Sequence, residues 1–344
     1  MNILITGGAG FVGSNIAVYL KQQYDCEIYV FDNLKRRGSE LNLPRLKKNN
    51  IEFIHGDIRN REDLFDLKKK NIDFLIECSA EPSVLSGLDG NSFYLVNTNL
   101  YGLINCLEFC GETKSKIIFL STSRVYPYDK INELDITETE SRFKWKNFKG
   151  VSESFSLDGV RTLYGATKLA GELFIREYAE IYGFKSVINR FGVIAGQWQF
   201  GKVDQGVFTL WMLAHFFKRD LKYIGFGGKG KQVRDLLHVD DVCKLIDWEI
   251  SNINKINNKV FNAGGGEEIS LSLLETTRLC EEITGNKIKI TSDINTRPGD
   301  LKIYITDNKK ITENTCWKPE KKPEQILTDI FKWIKENEKF LKNI

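Results

Sequence analysis

The chain reads as an α/β protein built on a doubly wound parallel sheet, with a smaller C-terminal α/β lobe. Three observations predict this. Residues 3 to 13, ILITGGAGFVG, carry an apolar strand into Gly7, Gly10 and Gly13 and then into an apolar-periodic helix. From residue 1 to about 190, short β-rich runs (NILIT, CEIYVF, IEFIH, IDFLIE, KIIFLS, KSVINR) alternate with segments of helical period, which implies a parallel sheet covered by helices on both faces. The ends of those runs carry the glycine turn, Asp32, Asp57 in HGDIRN, Ser79 and Ala80 in ECSAEP, and Thr122 in LSTSRVY. Ligands of such sheets bind beyond the carboxyl ends of the strands.

The first element has the form of a seat for a dinucleotide pyrophosphate, as in Rossmann-type folds. Gly7 permits the tight turn, Gly10 lets backbone N–H groups close on the phosphates, and Gly13 lets helix and strand pack closely. The helix N-terminus then meets the anion with free N–H groups and the positive end of its dipole. The second strand ends at Asp32, 19 residues past Gly13, where a carboxylate binds the adenosine ribose hydroxyls and repels a 2′-phosphate. NAD is therefore favoured, while the nearby Arg36 and Arg37 keep NADP as the alternative.

The chain has 344 residues, enough for two lobes sharing one cleft. The expected nucleotide domain is 1–190 with a return segment at about 235–263; the expected substrate lobe is 191–234 and 264–344. Residues 129 to 161 are polar and poorly periodic and read as a long loop with little regular structure. The last 22 residues read as an amphipathic helix with Ile326, Leu327, Ile330, Phe331 and Ile334 on one face, suited to core packing. With 49 basic against 46 acidic residues, no overall field recruits nucleic acid or anionic lipid. No apolar stretch approaches the roughly 18 residues of a membrane span, and no basic leader precedes the glycine turn, so a mature cytoplasmic protein is expected. Seven cysteines without paired spacing fit reduced thiols. Only His55, His215 and His238 occur, so no metal or histidine-driven mechanism is expected.

Tyr164 and Lys168 in YGATK open a long helical segment. Four residues apart, they share a helix face, so phenol and ammonium can address one ligand. An ammonium about 5 Å from a phenol favours phenolate by roughly 3 kcal/mol at an effective dielectric constant near 20, which makes Tyr164 a candidate general base. Thr122 ends the strand KIIFLS, where its hydroxyl can share a hydrogen bond with the sugar oxygen that loses its proton. Ser121 and Ser123 beside it have the alternative of satisfying local backbone groups.

With these residues in this order, the chain resembles the extended short-chain dehydrogenase/reductase family, the NAD-dependent epimerases and dehydratases. The resemblance spans TGGAGFVGS, FDN ending at Asn33, GDI at residues 56 to 58, Asn99 in NTNLYG, STSRVY, YGATK, GKQVRD, HVDD and RPGD. It implies Tyr164 as acid/base, Lys168 as its tuner and holder of the nicotinamide ribose, and Thr122 as assistant. It implies a cofactor set of Gly7, Gly10, Phe11, Val12, Gly13, Asp32, Asn33, Asp57, Ile58, Ser79, Ala80, Asn99, Tyr164 and Lys168. It also implies contacts to a nucleotide-diphosphate sugar from Glu81, Thr122, Ser123, Arg124, Gln205, Gln232, Arg234, Arg297 and Asp300. Arg234 and Arg297 suit a diphosphate through planar, charge-assisted hydrogen bonds; a salt bridge to Asp235 or Asp300 is their alternative. Similar proteins pair two helices per subunit, so 97 to 112 and 162 to 182 are candidate homodimer helices.

Within the family, dehydratases carry an Asp-Glu pair after the catalytic threonine, and the related decarboxylases a glutamate where Arg124 stands. Here Ser123 and Arg124 follow. An epimerase needs neither acid, only transient NAD-dependent oxidation of a hydroxyl-bearing carbon to a ketose. The GSELNL run, HGDIRN, the insertion before YGATK, GQWQFGKVDQGVFTLW with its DQG at 204 to 206, and GKGKQVRDLLHVDD resemble the CDP-tyvelose (CDP-paratose) 2-epimerases, which oxidise C2 of a CDP-linked deoxysugar. UDP- or dTDP-sugar 4-epimerases, and a dehydratase or oxidoreductase of the same fold, are the alternatives; retention of both Tyr164 and Lys168 weighs against a non-enzymic NAD-binding regulator. Val193, Glu81 and Glu77 depart from the family pattern, Glu77 standing where a histidine is common.

Overall fold

The computed structural model describes residues 1–88, 90–201 and 205–342. Its main sheet has seven strands: β1 (Asn2–Thr6), β2 (Glu27–Asp32), β3 (Glu52–His55), β4 (Phe74–Glu77), β5 (Lys116–Thr122), β6 (Ser186–Phe191) and β7 (Lys259–Ala263). Their spatial order is β7-β6-β5-β4-β1-β2-β3. β1 pairs in parallel with both β2 and β4, β2 with β3, and β4 with β5. The chain therefore builds outward to β3 and restarts on the other side of β1, which leaves a crevice at the carboxyl ends of β1 and β4. All four β4 residues are buried, as a strand covered on both faces requires.

The long helices of this sheet are α1 (Phe11–Gln23), α2 (Gly102–Thr113), α3 (Leu163–Tyr182) and α4 (Val239–Asn252). Leu103, Cys106, Leu107 and Cys110 recur at the three- and four-residue spacing of a helix stripe, and they join Ile175 and Ala179 of α3 in a core with Leu4, Phe31, Leu75, Ile117 and Phe119. This is the expected Rossmann-type sheet.

Packing divides the chain into two compact units, Met1–Val125 with Leu163–Arg190 and Val242–Phe261, and Tyr126–Thr162 with Phe191–Asp241 and Asn262–Ile344. Residues 126–162, expected within a 1–190 block, belong to the second unit. Asn132 donates from Nδ2 to the Asp300 carbonyl at 2.9 Å and accepts the Lys302 amide at 3.0 Å. Val151 bridges to Thr306, and Phe143 is buried with Val233 and Ile303. Nor is the segment without regular structure: it holds a helix, Tyr128–Asn132, and a hairpin of Ile136–Glu138 and Phe143–Trp145. Three-residue strands are too short to show a period. The return to the first unit begins at Val242, not at about 235, because Val233–His238 pairs with Ser270–Ser272, Ile303–Tyr304 and Val193–Ala195 of the second unit.

The second unit closes around Phe208, Trp211 and Met212 of the helix Val207–Phe217 and Ile326, Leu327, Ile330 and Ile334 of the helix Pro323–Glu336. The expected terminal helix breaks at Asn337 and resumes as Glu338–Leu341. Among the described residues no helix is long and apolar enough to cross a membrane.

Glu249 on α4 is wholly buried, with one hydrogen bond from Asn189 Nδ2 at 2.9 Å and none to Oε1. Burial pushes its carboxyl from the ordinary 4.5 up to about 8. Between those values the native state holds a proton that the unfolded chain has released, so stability falls as pH rises, at up to about 1.4 kcal/mol per pH unit. Glu249→Gln, isosteric with the protonated acid, is expected to flatten that slope. Urea unfolding of both proteins at about pH 5 and about pH 8 checks it; parallel losses in the two would contradict it.

Candidate active site

At the end of β1 the backbone turns where no side chain fits. Gly7 adopts φ +62°, and a Cβ there would lie 2.8 Å from the Cys78 carbonyl group and the Ser79 Cα. A Cβ at Gly13 would lie 2.7 Å from the Gly7 oxygen and the Gly8 Cα, and one at Gly10 would lie 3.1 Å from the Gly7 oxygen. β1, α1 and the chain leaving β4 at Ser79 and Ala80 therefore meet backbone to backbone. α1 starts after Gly10 without a side-chain cap or an acidic residue in its first turn, so no carboxylate competes with an incoming anion for the amides of Phe11, Val12 and Gly13.

Asp32 is fixed at the end of β2 by two amides: Oδ2 accepts from Ala9 at 3.1 Å and Oδ1 from Leu34 at 2.8 Å. Burial pushes its carboxyl up and those amides oppose the push. Asn33 donates to Asp57 Oδ2 at 2.8 Å. Burial alone would raise Asp57, but hydrogen bonds from Arg59 and Asn33 hold it at about 2. Asn105 anchors the Ile58 carbonyl at 2.8 Å. Asn99, in a π-helical turn over Asn97–Tyr101, accepts the Glu81 amide at 2.7 Å and donates to the Glu81 carbonyl at 3.1 Å. It thus clamps the Ser79–Glu81 loop after β4. π-Turns of this kind concentrate at functional sites. The side-chain-free turn, the uncapped helix and the fixed carboxylate together match the pyrophosphate and ribose of a dinucleotide.

Thr122 closes β5, 8% exposed, its Oγ1 accepting the Arg124 amide at 3.2 Å. Ser123 and Arg124 begin a single 3-10 turn. Tyr164, half-buried, lies in the first turn of α3. A Cβ on Gly165 would lie 2.0 Å from the Arg124 carbonyl oxygen, so the start of α3 rests directly on the turn after Thr122. Lys168, one turn further on and 3% exposed, donates to the Leu120 carbonyl at 3.0 Å, sits over the Phe119 ring at 4.4 Å, and faces Glu77 Oε2 at 3.5 Å. The structure thus sets Lys168 and the helix turn bearing Tyr164 against the end of the strand that Thr122 closes.

Gln205, Gln232, Arg234, Arg297 and Asp300 all belong to the second unit. Gln232 is buried; its Nε2 donates to the Ile224 carbonyl at 3.0 Å while its Oε1 accepts no hydrogen bond. Arg234 Nη2 pairs with Asp300 Oδ1 at 2.6 Å, one of the two alternatives the sequence left open. Asp235, the other, is wholly buried and accepts instead from the Thr306 and Gly266 amides. The Arg297 carbonyl accepts the Asp300 amide at 3.2 Å. Gln205 is half-buried, and Asp204 of the DQG run lies outside the described residues.

The sequence pattern of the NAD dependent epimerase/dehydratase family matches residues 3–264. The chain belongs to this family. It is an NAD-dependent epimerase. A CDP-paratose 2-epimerase of Salmonella typhi is 34% identical over 340 residues, covering 97% of this chain and 99% of the relative. The UDP-glucose 4-epimerase of Thermotoga maritima, solved with UDP-glucose, superposes with a TM-score of 0.82 at 26% identity, covering 98% of this chain and 99% of that one. The dTDP-glucose 4,6-dehydratase of Bacillus anthracis, solved with NAD, gives 0.80 at 25% identity, covering 100% and 99%.

Sequence reasoning passed over Gly165, although a glycine in the first turn of a long helix is disfavoured by about 1 kcal/mol against alanine and so signals a close approach. Gly165→Ala must displace either the Arg124 carbonyl or the turn bearing Tyr164. Turnover is expected to fall by roughly a hundredfold, the scale of an ångström misplacement, with bound NAD retained. Steady-state kinetics with cofactor content of the purified variant checks this; wild-type turnover would contradict it.

Proposed function

We propose that this epimerase inverts C2 of a CDP-linked deoxysugar of the paratose/tyvelose type. The observation that supports the reaction type is the set around the end of β5: Thr122 closes that strand, Tyr164 and Lys168 lie four apart on the helix that starts against the next turn, and the two residues after Thr122 are Ser123 and Arg124. Elimination of water needs further proton carriers there, and epimerisation does not. The CDP preference rests on the whole-length relationship to the Salmonella enzyme and on the GKGKQVRD run.

In this reading Tyr164 takes the proton from the sugar hydroxyl, and Thr122 holds the same oxygen through a hydrogen bond. Lys168 favours the phenolate that accepts the proton. Bound NAD supplies reversible two-electron oxidation of the carbon. Tyr164 returns its proton once the ketose has presented its other face, so neither NAD nor protons are consumed overall. The amides at the start of α1 hold the cofactor's pyrophosphate, Asp32 its ribose, and Asp57 with Ile58 its adenine side. Arg234, set by Asp300, and Arg297 are assigned to the substrate diphosphate, and Gln205, Gln232, Glu81, Ser123 and Arg124 are the further substrate-binding candidates. A UDP-sugar 4-epimerase is the second reading, favoured by the likeness to the Thermotoga structure.

A homodimer is part of the proposal. Tyr101, Leu173, Phe174, Ile181 and Tyr182 are exposed apolar residues on the two candidate helices, an apolar face suited to a second copy of the chain. Seven free cysteines support the reading of a reducing, cytoplasmic setting.

Incubation with CDP-, UDP-, GDP- and dTDP-sugars, followed by NMR of the products, is expected to show inversion at C2 of the CDP-sugar. Inversion at C4 of a UDP-sugar would move the assignment to the second reading. Tyr164→Phe is expected to lower turnover by about a thousandfold while NAD stays bound; unchanged turnover would remove this tyrosine from the mechanism.

A further inference from the structure

Glu77 is a buried acid that the reaction above does not use. It ends β4, where β-sheet register sets it between Thr6 of β1 and Phe119 of β5, and its side chain is 2% exposed. Neither carboxylate oxygen has a hydrogen bond of normal geometry. The Lys168 ammonium lies 3.5 Å from Oε2, above the ring of Phe119. A carboxylate in such a place persists only with a compensating charge. The other titratable groups coupled to it are thiols: Cys78, the next residue in the chain, and Cys106 from α2. Both are raised by burial and by the Glu77 charge, and so stay protonated. Burial pushes Glu77 itself up, and Lys168 with the neighbouring Ser79 opposes the push.

We infer that Glu77 is a positioning residue for the epimerase reaction: it draws the Lys168 ammonium onto the strand ends and offsets part of its field at Tyr164. The inference rests on the reading of Tyr164 and Lys168 as the acid/base pair. The positive field that favours phenolate then comes from a Glu77–Lys168 pair rather than from a lone lysine. A neutral residue at 77 leaves the ammonium uncompensated, which strengthens that field and shifts the working range of the enzyme to lower pH.

The test is the pH profile of kcat/KM of the NAD-loaded enzyme on CDP-paratose, or on whichever of the four nucleotide sugars it inverts. In Glu77→Gln the acid limb is expected to move about one pH unit lower, and Glu77→Asp is expected to restore the wild-type limb. A Glu77→Gln enzyme of reduced turnover but unmoved profile would make the residue merely structural and overturn the inference. Should no sugar be turned over, or Tyr164→Phe stay active, the epimerase mechanism fails instead. Urea midpoints of Glu77→Gln, Lys168→Met and the double variant then still test the pair. A double variant that loses less than the two single losses combined supports the coupling, and additive losses refute it.

Discussion

An ammonium group withdrawn from water governs the first unit. Lys168 is 3% exposed, and a buried cation costs several kcal/mol unless charge and hydrogen bonds surround it. β5 supplies the Leu120 carbonyl and the Phe119 ring, and β4 supplies Glu77. One turn further along the same helix face, Glu172 accepts from Ser121 Oγ of β5 at 2.5 Å and pairs with Arg190 of β6 at 2.6 Å, both charged partners being buried. Two charged residues four apart thus tie α3 to three adjacent strands. A slip of the helix by one turn would strand both charges, so the turn bearing Tyr164 has a single place to sit.

The glycine turn after β1 and the start of α3 rely on the opposite device, the absence of side chains. At Gly7, Gly13 and Gly165 a Cβ would penetrate backbone of another segment, and at each point two chain segments meet more closely than any other residue permits. Polar side chains then lock what the glycines bring together. Asp32 is held by amides from the turns after β1 and β2, and Asn99 clamps both backbone groups of Glu81. Such fixing before ligand arrives lowers the ordering cost of binding. In the second unit the Arg234–Asp300 pair does the same for a guanidinium, while the Asp300 carbonyl accepts from Asn132.

Much of the sheet was legible because its signals are local. Apolar runs of four to seven residues mark β1, β2, β4 and β5, and the glycine turn joins β1 to α1 within adjacent residues. The placing of Thr122, Tyr164 and Lys168 was legible for the same reason, since Tyr164 and Lys168 share one helix and Thr122 ends one strand. The segment 126–162 was not. Its strands are three residues long, and what orders it lies far along the chain, at Asp300, Lys302 and Thr306.

The sequence by itself determined the glycine-rich strand–turn–helix, the parallel sheet and the placing of Tyr164 and Lys168 one turn apart on one helix, because spacing along the chain dictates which groups share a turn or a helix face. Only the tertiary structure decided that Lys168 meets Glu77, that Gly165 rests on the Arg124 carbonyl, and that Arg234 takes Asp300 rather than Asp235. Those pairings join residues from 41 to 91 positions apart. Their energies depend on burial and distance, which arise only when separate elements pack.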